Sequence, residues 1–236
     1  LYMTAFFTPS LKEGLQTIDG DEALHCSKVL RKKAGDSCLV FDGSEAYHVA
    51  ELTNVTSKQC TFDIIKTETV LPQTYKLNIA ISPTKNIQRF EWFLEKAIEM
   101  GVNKITPIKC ERSERKRINR QRCEKIIISA AKQSGNFHLP EFNEMVGFKE
   151  LLKTNNPDNK HYIAYCSKIL PYVKDAFKAG SKELTIFIGP EGDFTNNEIE
   201  KAISNEFIGI SLGKSRLRTE TAGVFCCALI YNQNQI

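Results

Sequence analysis

No run of apolar residues in this chain approaches the length of a membrane span, and no basic-then-apolar leader opens it, so no membrane association is expected. Its eight cysteines include no Cys-x-x-Cys pair, and none of the four histidines stands at zinc-ligand spacing, so no metal site is expected. Cys226 and Cys227 are adjacent in an apolar helical run, where a free thiol behaves as a small hydrophobe. Scattered cysteines of this kind suit a reduced, cytoplasmic setting. Neither Gly-x-Gly-x-x-Gly after the first strand of the α/β region nor a P-loop is present, which argues against dinucleotide- and nucleotide-dependent α/β enzymes. There is no internal repeat and no low-complexity tract. What is there is an ordinary globular composition, 42% hydrophobic and 25% charged over 236 residues, enough for one large or two modest domains. Leu1 is not an initiator, and Met3 is a candidate original start.

The net charge of +4 is unevenly placed. Residues 1–71 carry 7 basic and 10 acidic side chains, net −3, whereas residues 72–236 carry 25 and 18, net +7. In the second stretch Lys109, Arg112, Arg115, Lys116, Arg117, Arg120 and Arg122 crowd together, with only Glu111 and Glu114 among them. Such a cluster is a phosphate-contacting patch or the solvated start of a helix with its flanking loop. The residues alone leave both readings open.

Residues 1–71 read as β-rich. Runs at 37–42, 46–53 and 59–66 are separated by turn signals, including Asp42-Gly43 and Thr53-Asn54, a spacing that fits a compact barrel. Residues 27–33 read as a short helical turn or loop displaying Lys28, Arg31, Lys32 and Lys33. A domain boundary is expected at Val70-Leu71-Pro72-Gln73, because Pro72 interrupts pairing and a new rhythm starts after it. From there, strands at 76–82, 104–109, 162–166, 184–188 and 207–212 alternate with helices. Asn86 caps the first helix, whose Phe90, Phe93, Leu94, Ala97 and Ile98 share one face and whose stop is Gly101. Trp92 lies off that stripe, as an exposed contact or a peripheral packing residue.

The second helix runs over 118–134, with Ile126, Ile127, Ala130 and Ala131 inward, and a short third over 172–179 ends at Gly180. Thr195-x-x-Glu198 opens the fourth as a capping box, and the last covers 219–232. This alternation predicts an α/β domain over 72–236, its mostly parallel sheet covered on both faces.

Two strand ends in the last quarter carry the chemistry. Phe187-Ile188-Gly189-Pro190-Glu191-Gly192-Asp193-Phe194 closes one apolar run, and Ile210-Ser211-Leu212-Gly213 closes another. Each stops at glycine and leads into a helix, so the two loops can face each other across one crevice, where open α/β sheets bind ligands. Gly189, Gly192 and Gly213 permit close backbone approach. Read alone, Gly-Pro-Glu-Gly is no more than a turn.

The full text of the two loops resembles one family. Gly189-Pro190-Glu191-Gly192-x-Phe194, Leu212-Gly213 and Leu217-Arg218-Thr219-Glu220-Thr221-Ala222 are similar to the 16S ribosomal RNA uridine-N3 methyltransferases of the SPOUT class. Upstream, Lys96-Ala97-Ile98-Glu99-Met100-Gly101-Val102, Glu111-Arg112-Ser113 and Ala130-Ala131-Lys132-Gln133-Ser134-Gly135 match as well. His25-Cys26-x-x-Val29-Leu30-Arg31 and Gly35-Asp36 resemble the family's small leading domain, so the likeness runs over nearly the whole chain.

The resemblance implies a PUA-like β-barrel over 1–71 that docks RNA and a SPOUT methyltransferase domain over 72–236 with a C-terminal trefoil knot. It also implies a homodimer acting on 16S ribosomal RNA in the small ribosomal subunit, although Val224, Phe225, Leu229 and Ile230 could equally fill a monomer core. The implied cofactor is S-adenosyl-L-methionine, held by Ile188, Gly189, Pro190, Glu191, Gly192, Ser211, Leu212, Gly213, Leu217 and Arg218. Arg112 and Arg218 are the cationic candidates for catalysis. Glu220 accepts a proton or orients Arg218 through a salt bridge, and Glu191 braces its loop. Lys28, Arg31, Lys32, Arg112, Arg115, Lys116 and Arg117 are the candidate RNA contacts. His25 and His138 qualify as acids or bases only by residue type.

Three positions depart from the family text. Asp193 stands where a second glycine is usual, Ser215-Arg216 where Arg-Ile is common, and Asn136 where arginine is typical. The rival from another class is a catalytically silent RNA-binding protein of ribosome assembly. Calorimetry separates the two, since the rival binds RNA without binding the cofactor.

Overall fold

The computed structural model describes residues 3–44, 46–70, 75–153, 159–167, 169–177 and 183–233. Two compact units divide the chain, Leu1–Pro72 with Ile128–Leu139 and Gln73–Ile127 with Pro140–Ile236. Leu71, Pro72 and Gln73 of the expected boundary, and Gly180, lie outside the described residues.

In the first unit β1 (Ala5–Phe7), β2 (Thr17–Asp19), β3 (Ser37–Phe41), β4 (Ala46–Val55) and β5 (Gln59–Thr69) form one sheet in the order β1-β3-β4-β5-β2. The β4–β5 ladder shifts register at Val49/Ala50 and again at Leu52/Asn54, and such irregularities bend and twist a sheet. The expected barrel is therefore a curled sheet. Hydroxyls of Thr8 and Ser10, just after β1, donate to the Thr17 carbonyl on β2 at 2.5 and 2.9 Å, which joins the two edges through side chains.

Phe6, Ile18, Val40, Leu52 and Phe62 form the core of this unit, with Cys26, Cys38 and Cys60 among them. Burial raises the Cys26 thiol to about 12 and the Cys38 thiol to about 11, so both stay protonated. Before β3, α1 (Gly20–Leu24) runs into a wider turn over His25–Val29, so the helical stretch expected at 27–33 lies earlier in the chain. Lys28 and Arg31 are exposed, and Lys32 donates through Nζ to the Ser37 carbonyl at 3.2 Å. His25 packs edge-on against Phe6, with ring centroids 6.4 Å apart.

In the second unit β6 (Lys76–Ile81), β7 (Lys104–Lys109), β8 (Glu141–Phe142), β9 (Val146–Gly147), β10 (Lys160–Ala164), β11 (Glu183–Ile188) and β12 (Ile208–Ile210) are all paired in parallel. The strand order is β12-β10-β11-β6-β7-β8, with β9 also on β7. Nearly every residue of β11 is buried, as a parallel strand covered on both faces requires. The helices after β6 are α2 (Ile87–Glu99), α3 (Arg120–Ser134, of which the part from Ile128 is counted with the first unit), α4 (Phe148–Leu152), α5 (Val173–Ala176), α6 (Asn196–Ser204) and α7 (Thr219–Gln233). α3 thus starts two residues later than expected, and β12 is shorter than expected, with Ser211 left in an isolated bridge to Tyr172.

Asn86 caps α2 by accepting from the Gln88 N–H, and the expected stripe from Phe90 to Ile98 is buried. Thr195 and Glu198 form the capping box of α6. α7 lies close on α2 and β6, since a Cβ on Gly223 would fall 2.7 Å from the Phe93 ring and 3.0 Å from Ile81. Among the described residues, no helix is long and apolar enough to cross a membrane.

Candidate active site

β10 lies between β11 and β12, so the C-terminal ends of these three strands stand side by side. The segments that follow them enclose a cleft of about 700 Å³. Ile188, Gly189, Pro190, Glu191 and Gly192 line it from the first glycine loop, and Ser211, Leu212, Gly213, Leu217 and Arg218 line it from the second. A third wall, Ala164, Tyr165, Cys166 and Ser167, comes from the end of β10 and was not anticipated. The signal for it was the strand expected over 162–166, which lies at 160–164 and becomes telling only when it is known to separate the other two.

The first loop is rigidly built. A Cβ on Gly189 would fall 3.1 Å from the Phe194 ring, so this glycine serves the folding of the loop on itself rather than approach by a ligand. Glu191 does brace the loop, since its Oε1 accepts from the Lys85 N–H at 2.9 Å. Arg112 donates through Nη1 to the Gly192 carbonyl at 2.8 Å and to that of Phe194 at 3.4 Å. The buried Thr219 hydroxyl donates to the Gly189 carbonyl at 3.0 Å, which ties the start of α7 to the same loop.

Each residue of Glu111-Arg112-Ser113 supports this region. The Glu111 N–H donates to Glu198 Oε1 at 2.8 Å, and the Glu111 carboxylate accepts from Thr195 and Asn197 at the start of α6. Ser113 accepts from the Cys110 N–H and shares a buried hydrogen bond of 2.8 Å with Ser82.

In the second loop Gly213 holds φ +137°, a backbone state that residues with side chains rarely adopt. Arg216 reaches across the cleft and donates to the Glu191 carbonyl at 3.2 Å. Arg218 is exposed on the cleft wall, and its guanidinium has no hydrogen-bond or ion-pair partner among the described residues. Glu220 does not orient it. The Glu220 carboxylate pairs instead with Arg89 on α2 at 3.8 Å, is buried, and is absent from the cleft wall. Its Oε2 has no hydrogen-bond partner among the described residues.

The basic cluster is likewise less free than its spacing implied. Arg115 donates to the Thr84 and Lys85 carbonyls, Arg120 binds Glu124, Glu144 and the Phe142 carbonyl, and Arg122 forms a two-pronged pair with Glu91. Arg112 is held by the first loop, so Lys109, Lys116 and Arg117 remain exposed and without a side-chain partner among the described residues.

The RNA methyltransferase domain family matches residues 71–231, and the RNA methyltransferase PUA domain family matches residues 18–65. The chain belongs to the RNA methyltransferase family. It is 29% identical to ribosomal RNA small subunit methyltransferase E of Bacillus subtilis, over 93% of this chain and 91% of that one. Among solved structures, a probable rRNA-methyltransferase from Porphyromonas gingivalis superposes with a TM-score of 0.91 at 35% identity, over 99% of each chain. The small subunit methyltransferase E from Neisseria gonorrhoeae, solved with S-adenosyl methionine bound, gives 0.86 at 28% identity over 98% of each chain. The mixed α/β fold with a leading PUA-like sheet, expected from sequence, is the fold of this family.

Proposed function

We propose that the protein transfers a methyl group from S-adenosyl-L-methionine to N3 of a uridine in 16S ribosomal RNA of the small subunit. The observation that carries this reading is the three-walled cleft, present in a chain that superposes over 98% of its length on a cofactor-bound relative. Its contents suit the donor. Ile188, Leu212 and Leu217 offer apolar surface to a purine, and the loop backbones at 189–192 and 211–213 offer donors and acceptors at close range. When bound, the cofactor supplies an electrophilic methyl group on a sulfonium.

The chain's own contribution is positioning and charge. Uridine N3 carries a proton that must leave before its lone pair can form the new N–C bond. The unpartnered guanidinium of Arg218 stabilises the negative charge that this loss leaves on the pyrimidine. Arg112 serves the reaction by fixing the first loop, and Glu220 by fixing the start of α7 through Arg89.

Residues 1–71 act as the RNA-docking domain through Lys28, Arg31 and Lys32, joined by Lys116 and Arg117 of the domain that spans 72–236, while Arg115 holds the 84–85 backbone. The trefoil knot that the family resemblance implies is part of the same reading, in a domain whose chain returns from the edge strand β12 to pack α7 against the central β6 and β11. A homodimer acting in the cytoplasm completes the reading. Trp92 on α2 and Phe225 and Tyr231 on α7 are 43%, 39% and 40% exposed, an apolar set suited to a second copy. The test is methylation of small subunits lacking the modification, with the product nucleoside located by mass spectrometry. Cofactor binding with no methyl transfer to N3 overturns the reading.

A further inference from the structure

Asp193 is one of the three places where this chain leaves the family text, and the structure gives its side chain definite work. Its backbone is left-handed, at φ +62°, where glycine is at ease and aspartate is among the few tolerated alternatives. A glycine would therefore satisfy the backbone. The carboxylate adds two bonds, with Oδ1 accepting from the Phe194 N–H at 2.8 Å and Oδ2 from the Cys166 N–H at 3.1 Å. The first rigidifies the glycine loop itself. The second crosses to the segment after β10.

Besides packing of Tyr165 and Leu170 against Gly209, few backbone hydrogen bonds hold that segment. Tyr165 is tied by its N–H to the Ile210 carbonyl at 3.3 Å, and the next backbone tie to another element is from Ser211 to the Pro171 carbonyl at 2.9 Å. Between those points, among the described residues, the Asp193 bond is the tether of the third cleft wall. We propose that Asp193 is a positioning residue that pins residues 165–167 to the first glycine loop and so sets the shape of the cofactor cleft. This inference rests on reading the cleft as the S-adenosylmethionine site.

Cys166 supplies a built-in reporter. It is the one exposed cysteine of the eight, and its thiol lines the cleft. Its charged neighbours are Asp193 on the first loop and Arg216 on the second. Burial, the negative Asp193 and a hydrogen bond to that carboxylate raise the thiol above its ordinary value, against a smaller opposing effect of Arg216.

The experiment compares wild type, Asp193→Gly and Asp193→Asn as full chains, by calorimetry with S-adenosylmethionine and by iodoacetamide labelling of Cys166 across pH without cofactor. Asp193→Gly preserves the backbone and deletes the tether, so cofactor binding is expected to weaken about fivefold or more. Asp193→Asn has one acceptor oxygen for two N–H donors, so it keeps at most one of the two bonds and binding is expected to lie between wild type and Asp193→Gly. Both variants remove the negative charge, and the labelling profile is expected to move to lower pH in each.

Wild-type binding by Asp193→Gly overturns the inference. Failure of wild type to bind the cofactor overturns the functional reading instead, and an unmoved labelling profile overturns the tether on its own.

Discussion

The Glu220 carboxylate lies 3.8 Å from the Arg89 guanidinium, and Arg218, two residues earlier, takes no part in the pair. Helical phase explains the separation. Thr219 and Ala222, three apart, share the cleft-facing side of α7, whereas Glu220 shares the side of Gly223, which packs on Phe93 of α2. Removing this buried carboxylate leaves a hole and an unpaired Arg89. Glu220→Ala is expected to cost about 1–3 kcal/mol in urea unfolding, and the isosteric Glu220→Gln less. Cofactor affinity by calorimetry should be little changed in Glu220→Gln. A hundredfold loss of turnover in that variant without loss of stability would return Glu220 to the reaction.

Arg112 lines the cleft and fixes the first loop there, with one nitrogen serving two carbonyls and its side chain lying against Gly192. Arg112→Ala frees the turn at 190–193, and S-adenosylmethionine affinity is expected to fall about tenfold. Arg112→Lys should rescue little, because lysine is shorter than arginine and its Nζ does not extend to where Nη1 meets the two carbonyls. Full rescue by lysine would show that charge alone matters at this position.

The cleft residues on both glycine loops were legible because each loop is a local event, a strand ending at glycine within a few residues of a helix cap. The third wall was not. Its place depends on β10 inserting between β11 and β12, a spatial order that no local spacing encodes. The partner of Glu220 was hidden for a related reason, since sequence offers the neighbour at two residues and the fold offers one on another helix. The basic cluster could not be resolved between a phosphate patch and a solvated helix start, because closeness in sequence does not fix where long side chains end. Guanidinium groups reach far, and Arg112, Arg115 and Arg122 each bind a group 30 or more residues away in sequence. The capping residues Asn86 and Thr195 were legible because the helix N-terminus they satisfy is the next few residues of chain.

Lys116 and Arg117 are, with Lys109, members of that cluster left exposed and without a side-chain partner among the described residues. If they meet phosphate, the double substitution to alanine weakens binding to a small-subunit RNA fragment about equally across sequences. The slope of log K against log salt is expected to fall by roughly 1.4–1.8, the counterions of two phosphate contacts. Fluorescence anisotropy over a salt series measures it, and an unchanged slope removes both residues from the RNA surface.

The Glu91–Arg122 pair predicts a pH dependence. Glu91 is buried on α2, and both of its oxygens accept from Arg122 on α3. The hydrogen bonds to Arg122 hold its carboxyl below the ordinary value of 4.5, although burial opposes them. A carboxylate depressed in the folded state adds stability that is present above its unfolded value and is lost as pH falls through the folded one. Glu91→Gln removes that contribution. The difference in urea unfolding free energy between wild type and Glu91→Gln should therefore be largest near neutrality and shrink once pH drops below about 4.5. Because Arg122 is largely exposed, added salt should narrow the neutral-pH gap as well. Parallel stability curves from pH 7 down to pH 3 would mean that the pair forms in the structure without contributing to folding.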